Sequence, residues 1–524
     1  MIHEGTDTTR VEPRIRGAQR IGRQIPATMA TQHPDHARKP SWLENPFINI
    51  QQEIEEVFRM YSEFGITEYK WDWEGKYVDE AVIERLLQEH FLFFKDRPLG
   101  KDFFLTFRLP NPKVETEFRL GRAFMGLVSA AGLAKSLGFH SPPLFEVILP
   151  MTESASEMIA IHEAFMEVAA LTHPLLRRNS SGHHALQVIP LFEQVDVIMS
   201  ADRIVQDYVD LHRTAFGEGI PYIRPYLARS DPALNSGLIS AVLAVKVALS
   251  RLAAWSSRSG IPSFPLVGVA ALPFRGGLTP ASTSQFIDQY AGTKTVIIQS
   301  AFRYDFPEQE VRSAITTLNE RLPATDAVAI SPHDEECLRE IVRMCEAPYR
   351  KTIESDGFAA LVNAVASDLP RRRERVQHTG LFGYSRGVGR VHLPRAIAYT
   401  GALYSLGVPP ELIGTGRGVK AIIKAGFGET FERFYPMFRY DITRASRFLH
   451  KGVLGRLARE SAVWHGVEDD VSALEEYLGV EFGPQTSEEH EHARLVQVAD
   501  RVRVDGRRDA ELYELLALIR KSIG

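Results

Sequence analysis

The stretch "ALQVIPLFE", residues 185–193, is apolar on both of its alternating faces and stops on a glutamate. A strand with one solvated face would alternate apolar with polar, so this run reads as a strand covered on both sides, as in a parallel sheet flanked by helices. Seven other runs between Ala27 and Ala301 read as strands: "ATMATQ" (27–32), "ITEYKWDW" (66–73), "FFLTFRL" (103–109), "LFEVILPM" (144–151), "YIRPYLA" (222–228), "PLVGVAALP" (265–273) and "KTVIIQS" (294–300). Each is followed by a polar turn and a longer helical stretch, the alternation of an α/β fold. Eight such units predict a (β/α)8 barrel over residues 27–332. "ATMATQ" is weak as a strand by itself, and a doubly wound open sheet gives a similar pattern.

The residues that end these runs point to function. In order they are His33 and Asp35, Asp72 and Glu74, Arg108, Thr152 and Glu153, Glu193, Arg229 and Asp231, Arg275, then Gln299 and Arg303. In a barrel all C-terminal strand ends share one face, so residues far apart in sequence converge on one pocket.

Glu193 in "PLFEQ" and Asp231 in "ARSDP" end successive strands. Without cysteine or clustered histidine nearby, two such carboxylates suit Mg²⁺ or Mn²⁺ rather than zinc. Taken singly, each also fits a helix cap. The guanidinium groups of Arg108, Arg229, Arg275 and Arg303, with Arg386, Arg390, Arg395 and Arg417 from further along the chain, describe a polyanion site. Arg275 precedes Gly276 and Gly277, whose bare backbone would let an anion approach closely. Arg386 and Arg390 in "GYSRGVGR" fit either a surface loop or a loop closing over a phosphate. A divalent metal, several arginines and the imidazole of His33 suit phosphoryl transfer or enolate stabilisation, with His33 as the proton-transfer group.

Beyond about His333 long amphipathic stretches dominate (333–365, 392–406, 487–523), with a basic cluster "RRRER" at 371–375. Residues 333–524 therefore read as a mostly helical part packed on the barrel and contributing arginines. Residues 1–26 mix acids with arginines and lack the apolar core of a secretory signal, so a mobile arm is expected. The run from Gly237, "GLISAVLAVKVALSRLAAW", carries Lys246 and Arg251 and reads as a buried helix rather than a membrane span. Cys337 and Cys345 are the only cysteines, which fits a reducing cytoplasm. A formal net charge of −5 provides no global basic field for nucleic acid or an anionic membrane. "GTGRGV" follows no strand and is not a dinucleotide fingerprint, and no nucleotide-triphosphate loop occurs. "SEEHEHARL" puts His490 and His492 on an acidic, solvated helix, and "SGHHAL" precedes a strand and so belongs to the far end of the barrel.

Taken together, "TQHPD" (31–35), "FFLTFRLPNPKVE" (103–115), "EVILPMTES" (146–154), "VIPLFE" (188–193), "ARSDPALNSG" (228–237), "FRGGLTPAS" (274–282), "QSAFRYDFP" (299–307) and "LPRAIAYTGALYSLGVPPELIGTGR" (393–417) resemble the phosphoenolpyruvate carboxylases of archaeal type. The resemblance implies a barrel enzyme, usually a homotetramer, that converts phosphoenolpyruvate and bicarbonate to oxaloacetate and inorganic phosphate with Mg²⁺ or Mn²⁺, through carboxyphosphate and the enolate of pyruvate. It also implies roles: His33 takes the carboxyphosphate proton, Glu193 and Asp231 hold the metal, Arg275 guards the intermediates, and Arg395 meets substrate phosphate, with Arg229 and Arg303 as weaker matches. His36 stands where archaeal-type chains commonly have asparagine and would add an imidazole at the rim. The larger bacterial and plant members end in Asn-Thr-Gly, where aspartate inhibits; this chain ends "KSIG". Two rival readings are a metal-dependent barrel lyase of the citrate-lyase or malyl-thioester kind, and a metabolite-binding regulator without turnover.

Overall fold

The computed structural model of the protein describes residues 24–44, 48–115, 118–139, 146–170, 186–370, 386–388 and 391–524. Eight parallel strands close into a barrel in sequence order: β1 (Thr28–Thr31), β2 (Glu68–Asp72), β3 (Phe104–Arg108), β4 (Glu146–Leu149), β5 (Gln187–Phe192), β6 (Tyr226–Ala228), β7 (Leu266–Gly268) and β8 (Thr295–Ile298). Closure is made by the weakest of the sequence signals. β1 pairs with β2 on one side and with β8 on the other, Met29 lying beside both Glu68 and Ile297, so there is no open sheet edge.

Two strands are much shorter than their apolar runs. In "YIRPYLA" Pro225 has no N–H for the ladder, and Ile223 makes only an isolated bridge to Ser263. "PLVGVAALP" leaves the sheet after Gly268, where the Ala270 N–H turns to the carbonyl of Arg275 (2.9 Å) and the Leu278 N–H to the carbonyl of Ala270 (3.0 Å).

Period-two alternation sorts the side chains. Outward residues such as Ala30, Tyr69, Trp71, Phe107, Val147, Phe192, Leu227, Val267 and Val296 join the main core under the helices. Inward residues Met29, Ile148, Ile189, Leu191, Tyr226, Leu266 and Ile297 form a separate apolar layer inside the barrel. Toward the N-terminal ends of the strands the interior is ionic. The Arg224 guanidinium donates to Glu68 (2.7 and 2.8 Å), to Glu146 (2.5 Å) and to Thr295 (3.1 Å), while Thr106 donates to Glu68 and Tyr222 to Glu146, both at 2.6 Å. Burial opposes the charge on Arg224, and Glu146 and Glu68 outweigh it, so the group stays ionised.

After β8 the regular structure among the described residues is helical apart from a short hairpin, Arg386–Val388 against Val391–Leu393. Of the three long stretches predicted by periodicity, 392–406 starts on the hairpin and continues as one helix, Ala396–Ser405, and the other two are each broken once. Ser355 caps Asp356–Asp368 after Pro332–Ile353, and Asp509 caps Ala510–Arg520 after Ser487–Val504. The apolar run from Gly237 becomes the helix Leu238–Ser259, long and apolar enough to cross a membrane but 78% buried in this chain. The expected arm, 1–26, lies mostly outside the described residues, but Ile25 is buried against Tyr222 and Phe264 and so belongs to the packed molecule. "RRRER" and His183 and His184 also lie outside the described residues. The acidic helix is not solvated all round: His490 is exposed, whereas His492 is buried with its ring edge-on to Phe448 at 4.9 Å.

Removing Arg224 would leave Glu68 and Glu146 buried without their counter-charge. Arg224→Met is expected to destabilise the fold by about 3–5 kcal/mol, measured by denaturant unfolding; a loss below about 1 kcal/mol would refute this account of the ionic layer.

Candidate functional site

Seven of the sequence-selected residues, His33, Arg108, Glu193, Arg229, Asp231, Arg275 and Arg395, line one cavity of about 450 Å³ at the C-terminal mouth of the barrel. Alternation carries the first of them there. His33 continues the inward series Met29–Thr31, Glu193 continues Ile189–Leu191, and Arg108 follows Thr106 on β3. Arg229 and Asp231 sit where β6 gives way to the helix Ser230–Ser236. The other wall comes from the helical part, through Asn363, Ser367 and Leu369 and through Pro394, Arg395 and Ile397. Arg395 is exposed and stands at the N-cap of the helix Ala396–Ser405.

The half-buried His33 shares a hydrogen bond between Nδ1 and Thr31 Oγ1 (3.0 Å), which leaves Nε2 for the cavity. Burial, then the charge of Lys70, with Arg108 and Arg275 adding to it against Asp72, holds the imidazole well below its ordinary pKa. His33 is therefore a neutral base at physiological pH. Arg108 is held between two acids, with Nε 2.6 Å from Asp72 and Nη1 2.5 Å from Glu74. Burial would raise the Asp72 carboxyl, yet Arg108 and Lys70 outweigh it and keep Asp72 ionised. Glu74 goes the other way: burial raises it, Glu193 adds to the rise, and Arg108 and Arg395 oppose it.

Arg275 is fixed from four directions. It donates to Ser230 Oγ (3.1 Å), to Gln299 Oε1 (2.8 Å) and to the carbonyl of Gly524, and lies 3.5 Å from Asp35. The loop that carries it is clamped by the helical part, since the Phe274 N–H donates to Glu411 Oε1 at 2.8 Å. Arg229 donates through Nε to Tyr290 (2.8 Å), while its Nη1 and Nη2 are buried and have no hydrogen-bond partner among the described residues. Those two nitrogens fit an anion.

Among the described residues no group of three or more His, Cys, Asp or Glu is arranged to hold a metal. Two cavity carboxylates, Glu193 and Asp231, are nonetheless a fitting donor set for Mg²⁺ or Mn²⁺, which keep waters and take substrate oxygens as further ligands. Both cysteines are buried in the helix Pro332–Ile353, away from the cavity lining.

A family model described as phosphoenolpyruvate carboxylase matches residues 25–524. The chain belongs to the phosphoenolpyruvate carboxylases of archaeal type. Among curated relatives of that name, one from Leuconostoc mesenteroides is 39% identical over 475 residues, covering 90% of this chain and 94% of the relative. One from Metallosphaera sedula is 35% identical over 523 residues, covering 96% of this chain and all of the relative, and one from Methanospirillum hungatei is 40% identical over 404 residues, covering 75% and 81%.

Other residues expected at the carboxylase site are placed elsewhere. Arg303 lies behind β1, donating to the carbonyl of Thr31 (2.6 Å) and lying 3.3 Å from Glu56, and does not line the cavity. Gly276 and Gly277 also stay off the cavity. Their φ angles of 125° and 74° make the turn that aims Arg275, and a Cβ at Gly276 would lie 2.5 Å from Val269, so close packing rather than anion access explains them. His36 is not at the rim; it is buried, with Nδ1 2.8 Å from Ser300 Oγ. Arg417 is bound to Asp470 (2.7 Å) and Thr352 (2.8 Å). Arg386 opens the short hairpin, and Arg390 lies outside the described residues.

The sequence reading also passed over Gln32, Lys70, Lys76 and Tyr226, all of which line the cavity. Lys70 was within reach of it, because it stands two residues before Asp72 on β2 and so shares its inward face.

His33 is expected to remain neutral as pH falls through 6.5, where a free imidazole would take up its proton. Nitrogen-15 NMR of labelled histidine should show its titration well below that value; a midpoint at or above 6.5 would contradict the site electrostatics described here.

Proposed function

We propose that this cavity joins phosphoenolpyruvate to bicarbonate, releasing inorganic phosphate and giving oxaloacetate, and so replenishes four-carbon acids. The observation that carries the reading is the convergence of one imidazole, two acids and several guanidinium groups, from strands far apart in sequence, on a single cavity. Arg229 and Arg395 would bind the phosphate and carboxylate of phosphoenolpyruvate, Arg395 entering from the helical part. Arg108, already between two acids, would act mainly by fixing Asp72 and Glu74. Glu193 and Asp231 would hold Mg²⁺ or Mn²⁺, which when bound supplies positive charge for the enolate and phosphate oxygens.

The residues then divide the work. Bicarbonate oxygen bonds to phosphorus as the ester P–O bond breaks, leaving its electron pair on the enolate. Neutral His33 accepts the carboxyl proton of carboxyphosphate at Nε2, so that the C–O bond to phosphate breaks and CO₂ forms beside the enolate. The fixed Arg275 supports negative charge without having to reorganise as it develops. Carbon 3 of the enolate then attacks CO₂. We also infer a cytoplasmic homotetramer from the family resemblance, with light scattering as its measurement.

A coupled assay for bicarbonate-dependent oxaloacetate tests the whole reading, and its absence under saturating metal would refute it. In His33→Asn, oxaloacetate formation is expected to fall at least tenfold further than phosphate release, because attack at phosphorus does not use the imidazole; equal losses would remove the proton-transfer role. Glu193→Ala and Asp231→Ala are each expected to abolish activity or to raise the metal concentration required steeply, and an unchanged metal titration would exclude them as ligands.

A further inference from the structure

Lysines are seldom buried, and when they are the ammonium group finds oxygen acceptors. Three are buried among the described residues: Lys70, Lys76 and Lys246. Lys76 donates to Gln32 Oε1 and Lys246 to the carbonyl of Gln289, each at 2.6 Å. Lys70 differs. Its side chain is 1% exposed, the residue lines the active cavity, and its Nζ has an ion pair with Asp72 but no acceptor within hydrogen-bond distance among the described residues. The nearest carboxylate, Asp72, is 3.6 Å away and is already engaged by Arg108 at 2.6 Å. Tyr226 presents its ring 5.9 Å from the ammonium, a face without a strong acceptor. The Lys70 ammonium thus has one carboxylate at ion-pair distance, shared with Arg108, and no acceptor within hydrogen-bond distance among the described residues.

We propose that Lys70 binds bicarbonate, and then the carboxyl half of carboxyphosphate, through Nζ at the floor of the cavity beside His33. The inference rests on the carboxylase reading above and goes beyond it by assigning the second substrate a place. Register supports the choice of bicarbonate. Lys70 lies directly beside Thr31 on the neighbouring strand, and His33 is the next inward residue after Thr31 on that strand. An oxyanion on Lys70 is therefore next to the imidazole that must receive the carboxyl proton, whereas Arg395 meets substrate from the helical wall. Lys70 forms and breaks no covalent bond: it donates hydrogen bonds while bicarbonate oxygen attacks phosphorus, and it keeps them as CO₂ separates from inorganic phosphate. Its charge has a second effect, because it helps keep His33 free of a proton before the carboxyl group arrives.

The test is the pair of Michaelis constants in Lys70→Met, which is one heavy atom shorter, keeps an unbranched apolar stem and removes the donors. The constant for bicarbonate should rise at least 30-fold while that for phosphoenolpyruvate changes less than threefold, and the acid limb of the pH profile should move upward as His33 loses its cationic neighbour. A bicarbonate constant within threefold of wild type overturns the proposal, and so does a selective rise in the constant for phosphoenolpyruvate, which would make Lys70 a ligand of the phosphate ester. Lys70→Gln, with the same two constants, serves if the methionine variant does not fold. A wild-type measurement is independent of both: bicarbonate, but not phosphoenolpyruvate, should slow acylation of Lys70 by acetic anhydride at least fivefold, as read from peptide masses, and equal rates overturn the assignment. Absence of any carboxylase activity in the wild type would instead refute the parent reading, so the two failures are distinguishable.

Discussion

A closed parallel barrel turns every second strand residue into a dry interior, where charges persist only if they are matched there. This constraint governs both ends of the molecule. At the N-terminal end Arg224 serves Glu68 and Glu146, and hydroxyl groups satisfy the remaining oxygens. At the C-terminal end Arg108 serves Asp72 and Glu74. Between the two lies the apolar layer of Met29, Ile148, Ile189, Leu191, Leu266 and Ile297, which separates an ionic cluster that is closed on itself from one that faces the cavity.

The difference between the two clusters separates structure from chemistry. Around Arg224 both acids are bound, and neither lines the cavity at the barrel mouth. Around the cavity the internal acids take up Arg108, while among the described residues Arg229 keeps two buried nitrogens without partners and Lys70 has only the distant, shared Asp72. Buried cations whose hydrogen-bonding capacity is only partly used are costly without an anion, and the cavity is thus biased toward anionic substrates before any metal is considered. The same cations depress the basicity of His33. One charge distribution therefore supports two properties, affinity for oxyanions and a neutral imidazole.

Fold and site were legible in the sequence to different degrees. The runs located all eight strands, most plainly where both faces are apolar and least so at β1 and β2, whose buried faces carry Thr28, Thr31, Glu68, Lys70 and Asp72, and the polar residue ending each run marked the mouth of the barrel. The runs overestimated strand length wherever proline or a turn took the backbone out of the ladder, as at Pro225 and beyond Gly268. Residue type at a strand end could not reveal which way a side chain turns. Arg303 follows β8 as Arg275 follows β7, yet Arg303 is drawn behind β1 by Glu56 and the Thr31 carbonyl. His36, one residue past Asp35, is turned toward Ser300 instead of the cavity. Lys70 escaped notice for the opposite reason, because it lies inside a strand, and attention to strand ends passes over the floor beneath them.

The helical part closes this arrangement, and it does so by holding backbone more than by adding charge. Glu411, buried and pushed up to about 7 by that burial, accepts the Phe274 N–H and the Tyr404 hydroxyl, at 2.8 Å each. Asp441, likewise pushed up to about 7 by burial, packs against the turn at Gly277 and accepts from Tyr435 at 2.8 Å. Both carboxyls bear on the loop between Pro273 and Leu278, whose one cavity residue is Arg275. From the other side, Asp35 accepts the Ala301 N–H at 2.8 Å and lies against Arg275, linking the segment after His33 to the same guanidinium. An arginine with this many fixed partners has few rotamers to lose when negative charge develops nearby, which is the condition for electrostatic stabilisation to act without reorganisation. The helices after the barrel are thus part of the site through Arg395 directly and through Glu411 and Asp441 at one remove, and a barrel without them would present Arg275 on a loop with half of its supports missing.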